Sequence, residues 1–375
     1  MSKKSNLLVK ILKPVGIVIL TLLVFVGAYA SYFVLSFSRI EDNLPLMQSG
    51  GAPQKNINVN TSYSMFGWNI GFGAYNHDYS FFMDGGKESR GRSQDDVYKN
   101  LEGINQTLER IEKEFAINST FDFICFQEVD FDSTRSYKID EREVLLSNLS
   151  GYTNIFAQNY NSPYILYPFN SPHGANKSGM LTISKFDIYH SIRKQLPVEN
   201  NFYKFFDLDR CYSKSRIKVD NGRDLVLINF HLSAYTSNGN VATEQLKLLI
   251  ADCKAEYEQG NYVVCTGDFN KDLFDQTSAQ VFGINNDEFN WAKTIPAEIF
   301  EGSHITKVIP VGKEQGSPVP TCRNANVAYE LGQPVYTVDG FLVSDNVQAL
   351  ASYAIDEQFT YSDHNPIVLT FKLKA

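Results

Sequence analysis

The chain has 375 residues, and its 27 Phe and 21 Tyr permit a large core in one extended α/β domain or two average ones. The net charge is −8, and five of the 34 basic residues (Lys3, Lys4, Lys10, Lys13, Arg39) precede the first acid, Glu41, leaving 29 bases against 42 acids in the body. An acidic body disfavours non-specific binding to phosphate backbones, and the five cysteines contain no CxxC pair, which excludes the usual zinc-finger spacing.

Residues 1–13 form a basic N-terminus. Pro14 to Phe37 carry no charge, and at about 1.5 Å per residue such a helix reaches roughly 36 Å, enough to cross a bilayer with tilt. The lysines lie before it and Glu41 and Asp42 after it. This predicts a single-pass anchor in the cell membrane, with the N-terminus cytoplasmic and the body outside. The alternative is secretion after cleavage near Ala30, because Ala28-Tyr29-Ala30 resembles a signal-peptidase site. The apolar run continues past that point, which favours the uncleaved anchor. Residues 38–60, polar and containing "SGGAP", read as a linker, and 61–375 as the catalytic body.

In the body, Tyr63–Ile70 reads as a strand. The next stretch reads as a helix with Ser93 as N-cap and Val97, Leu101, Ile104, Leu108, Ile111 and Phe115 at three- and four-residue spacing. "FDFICFQEVD" reads as a strand, "EREVLLSNL" as a short helix, and "SGMLTISKFDIYHSI" as one long strand. "SRIKV" and "DLVLINFHL" flank "DNGRD", a hairpin signal. Val241–Glu258 reads as a helix stopped by Gly260. "NYVVCTGDF", "VYTVDGFLV" and "PIVLTFKL" are the later strands. Cys125 and Cys265 fall inside apolar runs and read as small core residues. Gly283 to Asn326 shows no usable period. Interleaved helices and strands predict sheets covered by helices.

The strand ends share a pattern: an apolar run stops at a polar group. Asn69, Glu128, His231, Asp268 with Asn270, Asp339, and Asp363 with His364 all sit at such places. Asp268 and Asn270 are two apart, so an extended chain points both the same way. Glu128, Asp363, Asn69 and Asp268 offer hard oxygens, which suit Mg2+ or Mn2+ rather than zinc. Histidines beside carboxylates suit proton transfer or donation to a developing oxyanion. Together these groups suit displacement at phosphorus. No GxSxG, HExxH or Walker loop competes, and the "GFG" at Gly71–Gly73 reads as turn chemistry. Lys87, Arg90 and Arg92, in the loop after the first strand, are candidate phosphate contacts. His77, His173, His190 and His304 read as ordinary surface or loop residues.

The ordered set "FICFQEVD", "NFHL", "TGDFN", "VDGFLVS" and "SDHNPI" resembles the endonuclease/exonuclease/phosphatase superfamily, over roughly Tyr63 to Leu373. The resemblance implies a four-layer α/β sandwich of two packed mixed sheets flanked by helices. It implies metal at Glu128 with Asn69 and Asp363, and water activation by Asp268. Asn270 would hold the phosphate or that water. His364, positioned by Asp339, would contact the phosphoryl oxygens, and His231 would act near the leaving group. The expected function is a Mg2+-dependent phosphoesterase, a monomeric domain outside the membrane, acting on a phosphorylated small molecule or a phospholipid headgroup. The alternatives are an extracytoplasmic nuclease acting on nucleic acid and a catalytically inactive binding module. The presence of Glu128, Asp268 and His364 speaks against the last.

Overall fold

The computed structural model describes residues 2–51, 56–205, 207–234, 240–284, 291–314 and 316–375. The chain begins with α1 (Ser2–Ser36), β1 (Leu44–Pro45), β2 (Ser49–Gly50) and β3 (Ser62–Asn69). Then come α2 (Gln94–Phe115), β4 (Phe123–Asp130), α3 (Glu141–Leu146), β5 (Thr153–Asn161), β6 (Lys177–Ser184) and β7 (Ile188–Gln195). The middle holds β8 (Cys211–Lys218), β9 (Asp224–His231), α4 (Asn240–Glu258), β10 (Tyr262–Asp268) and α5 (Ser278–Phe282). The chain closes with β11 (Ile305–Val308), β12 (Cys322–Arg323), β13 (Val335–Tyr336), β14 (Asp339–Ser344), β15 (Val347–Ala354) and β16 (Ile367–Leu373).

Two seven-stranded mixed sheets result, in the orders β15-β16-β3-β4-β6-β5-β2 and β1-β7-β8-β9-β10-β14-β11. Side-chain alternation explains the layers. Met65, Phe123 and Leu369 of the first sheet meet Leu225, Leu227, Val264 and Phe341 of the second in one buried core. The neighbours in sequence, Phe66, Ile124 and Val368, face the other way, onto Val97, Leu101, Ile104 and Leu108 of α2. Val226, Ile228 and Val263 likewise face Leu246, Leu249 and Cys253 of α4. Burying each such side chain contributes about 1.5–3 kcal/mol, so helix–sheet–sheet–helix is the arrangement that satisfies both faces of both sheets. The Ser93 side chain caps α2 by accepting from the Asp96 N–H. All five cysteines are buried free thiols.

Two expectations are corrected. The long strand predicted over "SGMLTISKFDIYHSI" is two strands in different sheets, β6 and β7. Phe186 causes the break. Its ring is buried against Tyr63 and Phe123 between the sheets, at centroid distances of 5.5 and 5.7 Å, so the chain must cross there. The segment 38–60, read as a linker, is strapped to the body. Arg39 pairs with Asp209, β1 pairs with β7, β2 pairs with β5, and Ile57 is fully buried. These backbone pairings outweigh the turn-forming composition of "SGGAP", whose Ala52 and Pro53 lie outside the described residues. Ahead of the strap, Lys10–Ser36 of α1 is long and apolar enough to cross a membrane by length and composition.

Candidate active site

Three adjacent strands of the second sheet end in one row. In register, His231 of β9 lies beside Asp268 of β10, and Asp268 beside Asp339 of β14. The Asp-Gly at 339–340 is therefore continuous strand, as the unbroken apolar run predicts. Gly267 has a distinct reason. A Cβ there would lie 2.0 Å from the Phe230 carbonyl oxygen of the neighbouring strand. Gly267→Ala is expected to push β10 off β9 and cost about 2 kcal/mol or more, read as a lower denaturant midpoint; an unchanged midpoint would refute the close-approach argument.

The first sheet supplies the facing groups. Asn69 ends β3, paired with Gln127 of β4. The register of β4 slips between Phe126 and Val129, and Glu128 takes a positive φ of 55°. Such strained backbone costs energy and recurs at functional sites. Asn270, with φ 48°, is the corresponding residue after β10. Asn69 stands between the facing carboxylates. Its amide nitrogen donates to Glu128 Oε1 (3.1 Å) and Asp268 Oδ2 (3.2 Å), while its oxygen accepts from the Gly71 N–H. In this arrangement it spaces two carboxylates rather than presenting an oxygen between them.

The turn before β16 completes the site. Ser362 Oγ donates to the Asn69 carbonyl, and the His364 N–H donates to Ser362 Oγ. Trp68 Nε1 donates to the His364 carbonyl at 2.8 Å. His364 Nδ1 meets Asp339 Oδ2 at 2.8 Å, and its Nε2 lies 3.8 Å from Asp268. His231 Nε2 lies 3.5 Å from Asp268 and 3.9 Å from Glu128.

The two histidines are driven apart. Burial works against a charge on His364, but Asp339 outweighs it and holds its pKa well above the ordinary value. Burial, then the positive charges of Arg210 and His364, push His231 well below it. The shifts favour the charged, donating form of His364 and the neutral form of His231. Burial, with Asp339 as the next cause, pushes Asp268 up to about 7. Burial, opposed by His364 and reinforced by Glu128, pushes Asp363 up to about 6. The four carboxylates Glu128, Asp268, Asp339 and Asp363, crowded at one place, repel one another, and this is the environment a hard divalent cation relieves. Asp268, Asp339 and His364 each place one ligand atom within 4.8 Å of the others. Asp339 is already spent on His364, however, so the open carboxylates Glu128 and Asp363 are the better holders.

These groups open onto a cavity of about 250 Å3. Glu128, His231, Asp268, Asn270, Asp363 and His364 line it, while Asn69 and Asp339 stand behind them. Lys87, Arg90 and Arg92 are not among its lining residues. Arg92 instead pairs with Asp78 and Glu88, Arg90 lies over the Tyr137 ring, and Lys87 is exposed. The cationic wall is Arg135, Arg210 and Arg323, with Phe72, Tyr75 and Phe81 as the aromatic wall. His173 also lines the cavity; read as a surface or loop residue, it is in fact buried, and burial with the nearby Arg135 pushes its pKa down to about 3. Arg323 sits in the stretch without period, and Arg135 and Arg210 fall between elements, so no periodicity could have signalled them. His77, His190 and His304 are exposed as expected.

A two-sheet sandwich with carboxylates and histidines gathered at one end of both sheets defines a class of site built for displacement at phosphorus. The chain belongs to the endonuclease/exonuclease/phosphatase family, whose sequence model matches residues 67–364. Solved structures share the fold. An endonuclease/exonuclease/phosphatase from Beutenbergia cavernae is 16% identical over 84% of this chain and 72% of that one, with a TM-score of 0.54. ANGEL2, a 2',3'-cyclic phosphatase solved with adenosine-2',3'-vanadate, is 15% identical over 90% of this chain and 100% of that one, with a TM-score of 0.52. The human Nocturnin catalytic domain with bound sulfate is 16% identical over 88% of this chain and 98% of that one, with a TM-score of 0.50. Among curated proteins no sequence match was found.

Proposed function

We propose that this chain is a Mg2+- or Mn2+-dependent phosphoesterase, held at the outer face of a membrane by α1, that cleaves a small phosphorylated molecule or a phosphorylated headgroup. The observation that carries the reading is the in-register row His231–Asp268–Asp339 gathered with Glu128 and Asp363 at a cavity of about 250 Å3. The cavity, with Arg210 on its wall, suits one phosphoryl group with its substituent.

Glu128 and Asp363 would hold the cation, which supplies charge neutralisation at the phosphoryl oxygens. Asp268 receives the proton of the attacking water, and Asn270 fixes the position of that water or of the phosphate. The water oxygen forms a bond to phosphorus as the bond from phosphorus to the ester oxygen breaks. His364, kept charged by Asp339, donates to the phosphoryl oxygens. The departing oxygen leaves on the side of His231 and takes its proton from solvent, to which Asp268 returns the proton it received. Arg210 is positioned to meet the phosphate, since it lines the cavity and its buried Nε has no hydrogen-bond partner among the described residues.

Uncleaved anchoring is supported by the contacts of α1. Tyr29 Oη donates to the Tyr164 carbonyl and accepts from the Leu166 N–H, and Phe33 is buried. Cleavage after Ala30 would remove the Tyr29 bonds.

The full chain with Mg2+ or Mn2+ should hydrolyse soluble phosphomonoesters or phosphodiesters, stop in EDTA and recover when Mg2+ is restored. Its melting temperature should rise on metal addition, because ligand binding to the folded state alone stabilises it. Hydrolysis indifferent to EDTA would overturn the metal dependence. Faster cleavage of plasmid DNA or RNA than of every small ester would replace this reading with a nuclease.

A further inference from the structure

The membrane helix and the cavity share the same loops. The segment from Asn161 to Lys177 carries Tyr164 and Leu166, which bond to Tyr29 and Tyr32 of α1. It also carries His173, which lines the cavity. Phe205 meets Phe33 and Phe37 edge-on at the end of α1, with centroids 6.5 and 5.1 Å away, and two residues later Asp207 is cavity wall. A small cleft beside Phe37 and Arg39 is lined by Tyr160, Asp207 and Leu208, and the main cavity is lined by the same three residues.

The same loops expose aromatic residues. Phe169 is 83% exposed and Phe202 68%, with Tyr167 and Met83 also open. Tyr167 and Phe169 continue an aromatic run that starts inside the cavity. Phe72 packs on Phe81, Phe81 on Phe82, Phe82 on Tyr167 and Tyr167 on Phe169, with centroids 5.0–6.2 Å apart at each step. Isolated exposed apolar residues are ordinary, but a contiguous run leading out of a polar cavity marks an interaction surface.

The height of this surface follows from α1. Tyr29 lies seven residues before Ser36, about 10 Å along the helix. The apolar span Lys10–Ser36 has 27 residues, about 40 Å against roughly 30 Å of hydrocarbon. A loop bonded to Tyr29 is therefore held at headgroup depth, where tyrosine and other aromatic side chains are favoured. Lys204, over the Phe37 and Phe205 rings, adds a cation at the same level.

We propose that the face carrying Tyr167, Phe169 and Phe202 rests on the lipid surface that α1 enters, so that the cavity takes a phosphorylated headgroup from a lipid of that bilayer. This rests on the phosphoester reading above and names its substrate class. The cavity of about 250 Å3 has room for a phosphorylated headgroup, and the aromatic run leaves the acyl chains a path back to the bilayer.

The test uses the full chain in phosphatidylcholine nanodiscs, with and without phosphatidic acid. The native cysteines are all buried, so a fluorophore can be placed selectively at Phe169→Cys. The control position is Asn221→Cys, in the turn preceding Asp224 at the far end of β9 from His231. Doxyl-labelled lipid should quench the label at position 169 and not at 221. Equal quenching at both, or none at 169, overturns the membrane face. Phosphatidic acid in the disc should be hydrolysed or should slow turnover of a soluble aryl phosphate. Tyr167→Ser with Phe169→Ser should weaken that effect about tenfold or more while leaving turnover of the soluble ester in plain discs unchanged. Absence of both hydrolysis and slowing overturns the lipid substrate. Failure of the wild-type chain to cleave any soluble ester would sink the phosphoester reading instead, and the quenching would still decide the membrane face.

Discussion

Asp268→Asn is expected to fold and to lose roughly a thousand-fold in kcat on any phosphoester this chain cleaves. The amide keeps the shape of the carboxylate but cannot take a proton from water. Asp268 is central to the site: the middle of the in-register row, within 3.5 Å of His231, 3.8 Å of His364 and 3.2 Å of Asn69. The loss should appear in kcat more than in KM, because a proton acceptor acts in the transition state rather than in binding. Stability should move the other way. Burial and the neighbouring Asp339 and Glu128 already disfavour a charge on Asp268, so replacing it with a neutral group relieves repulsion. In EDTA the melting temperature of Asp268→Asn should equal or exceed that of the parent. His364→Asn should show a comparable kcat loss while keeping a donor for Asp339. Full kcat in both variants would refute the site assignment; a melting temperature lowered for Asp268→Asn would refute the crowding argument.

The residues of the row were legible in the sequence because each signal is local. An apolar run that stops at Asp, His or Asn needs only the strand period and its end, and "TGDFN" and "NFHL" each carry both. Where the strands go was less legible. "SGMLTISKFDIYHSI" has unbroken strand character, and only the burial of Phe186 between Tyr63 and Phe123 sends its two halves into different sheets. The strap at 38–60 was missed for a related reason. Its pairings at Leu44–Pro45 and Ser49–Gly50 are two residues long, too short to show a period, and Arg39 finds Asp209 only in three dimensions. The cationic wall was misplaced because proximity in sequence is a poor guide within long loops. Arg92 follows the first strand closely, yet Asp78 and Glu88 hold it outside the cavity. Arg323 arrives from the stretch without period, carried by the backbone bond from its N–H to the Asp363 carbonyl.

Arg135 carries the largest expected stability effect. Its guanidinium forms a bidentate pair with Asp130, Nε to Oδ2 at 2.9 Å and Nη2 to Oδ1 at 2.8 Å, and both side chains are buried. It also lies 3.8 Å over the centre of the Phe72 ring. Glu141 stands beside this pair, accepting from the Asp130 N–H, and burial together with the Asp130 charge raises its pKa well above the ordinary value. Burial and the Asp130 charge thus favour the neutral form of Glu141, and Arg135 is the charge paired with Asp130. Arg135→Met should cost about 3–5 kcal/mol, since it strands a buried carboxylate. Asp130→Asn should cost a similar amount by stranding the guanidinium. The double variant should be more stable than the sum of the two losses predicts, by a coupling of about 1–3 kcal/mol. Denaturant midpoints of the four proteins measure this, and simple additivity would show that the pair is not coupled. The pairing also bears on the cavity. Arg135 lines it, but its charge is already committed to Asp130, so it shapes the wall beneath Phe72 rather than binding phosphate. At a temperature where Arg135→Met is still folded, KM for a small phosphoester should therefore change far less than stability does. A large rise in KM with little loss of stability would reverse that assignment and make Arg135 a phosphate ligand.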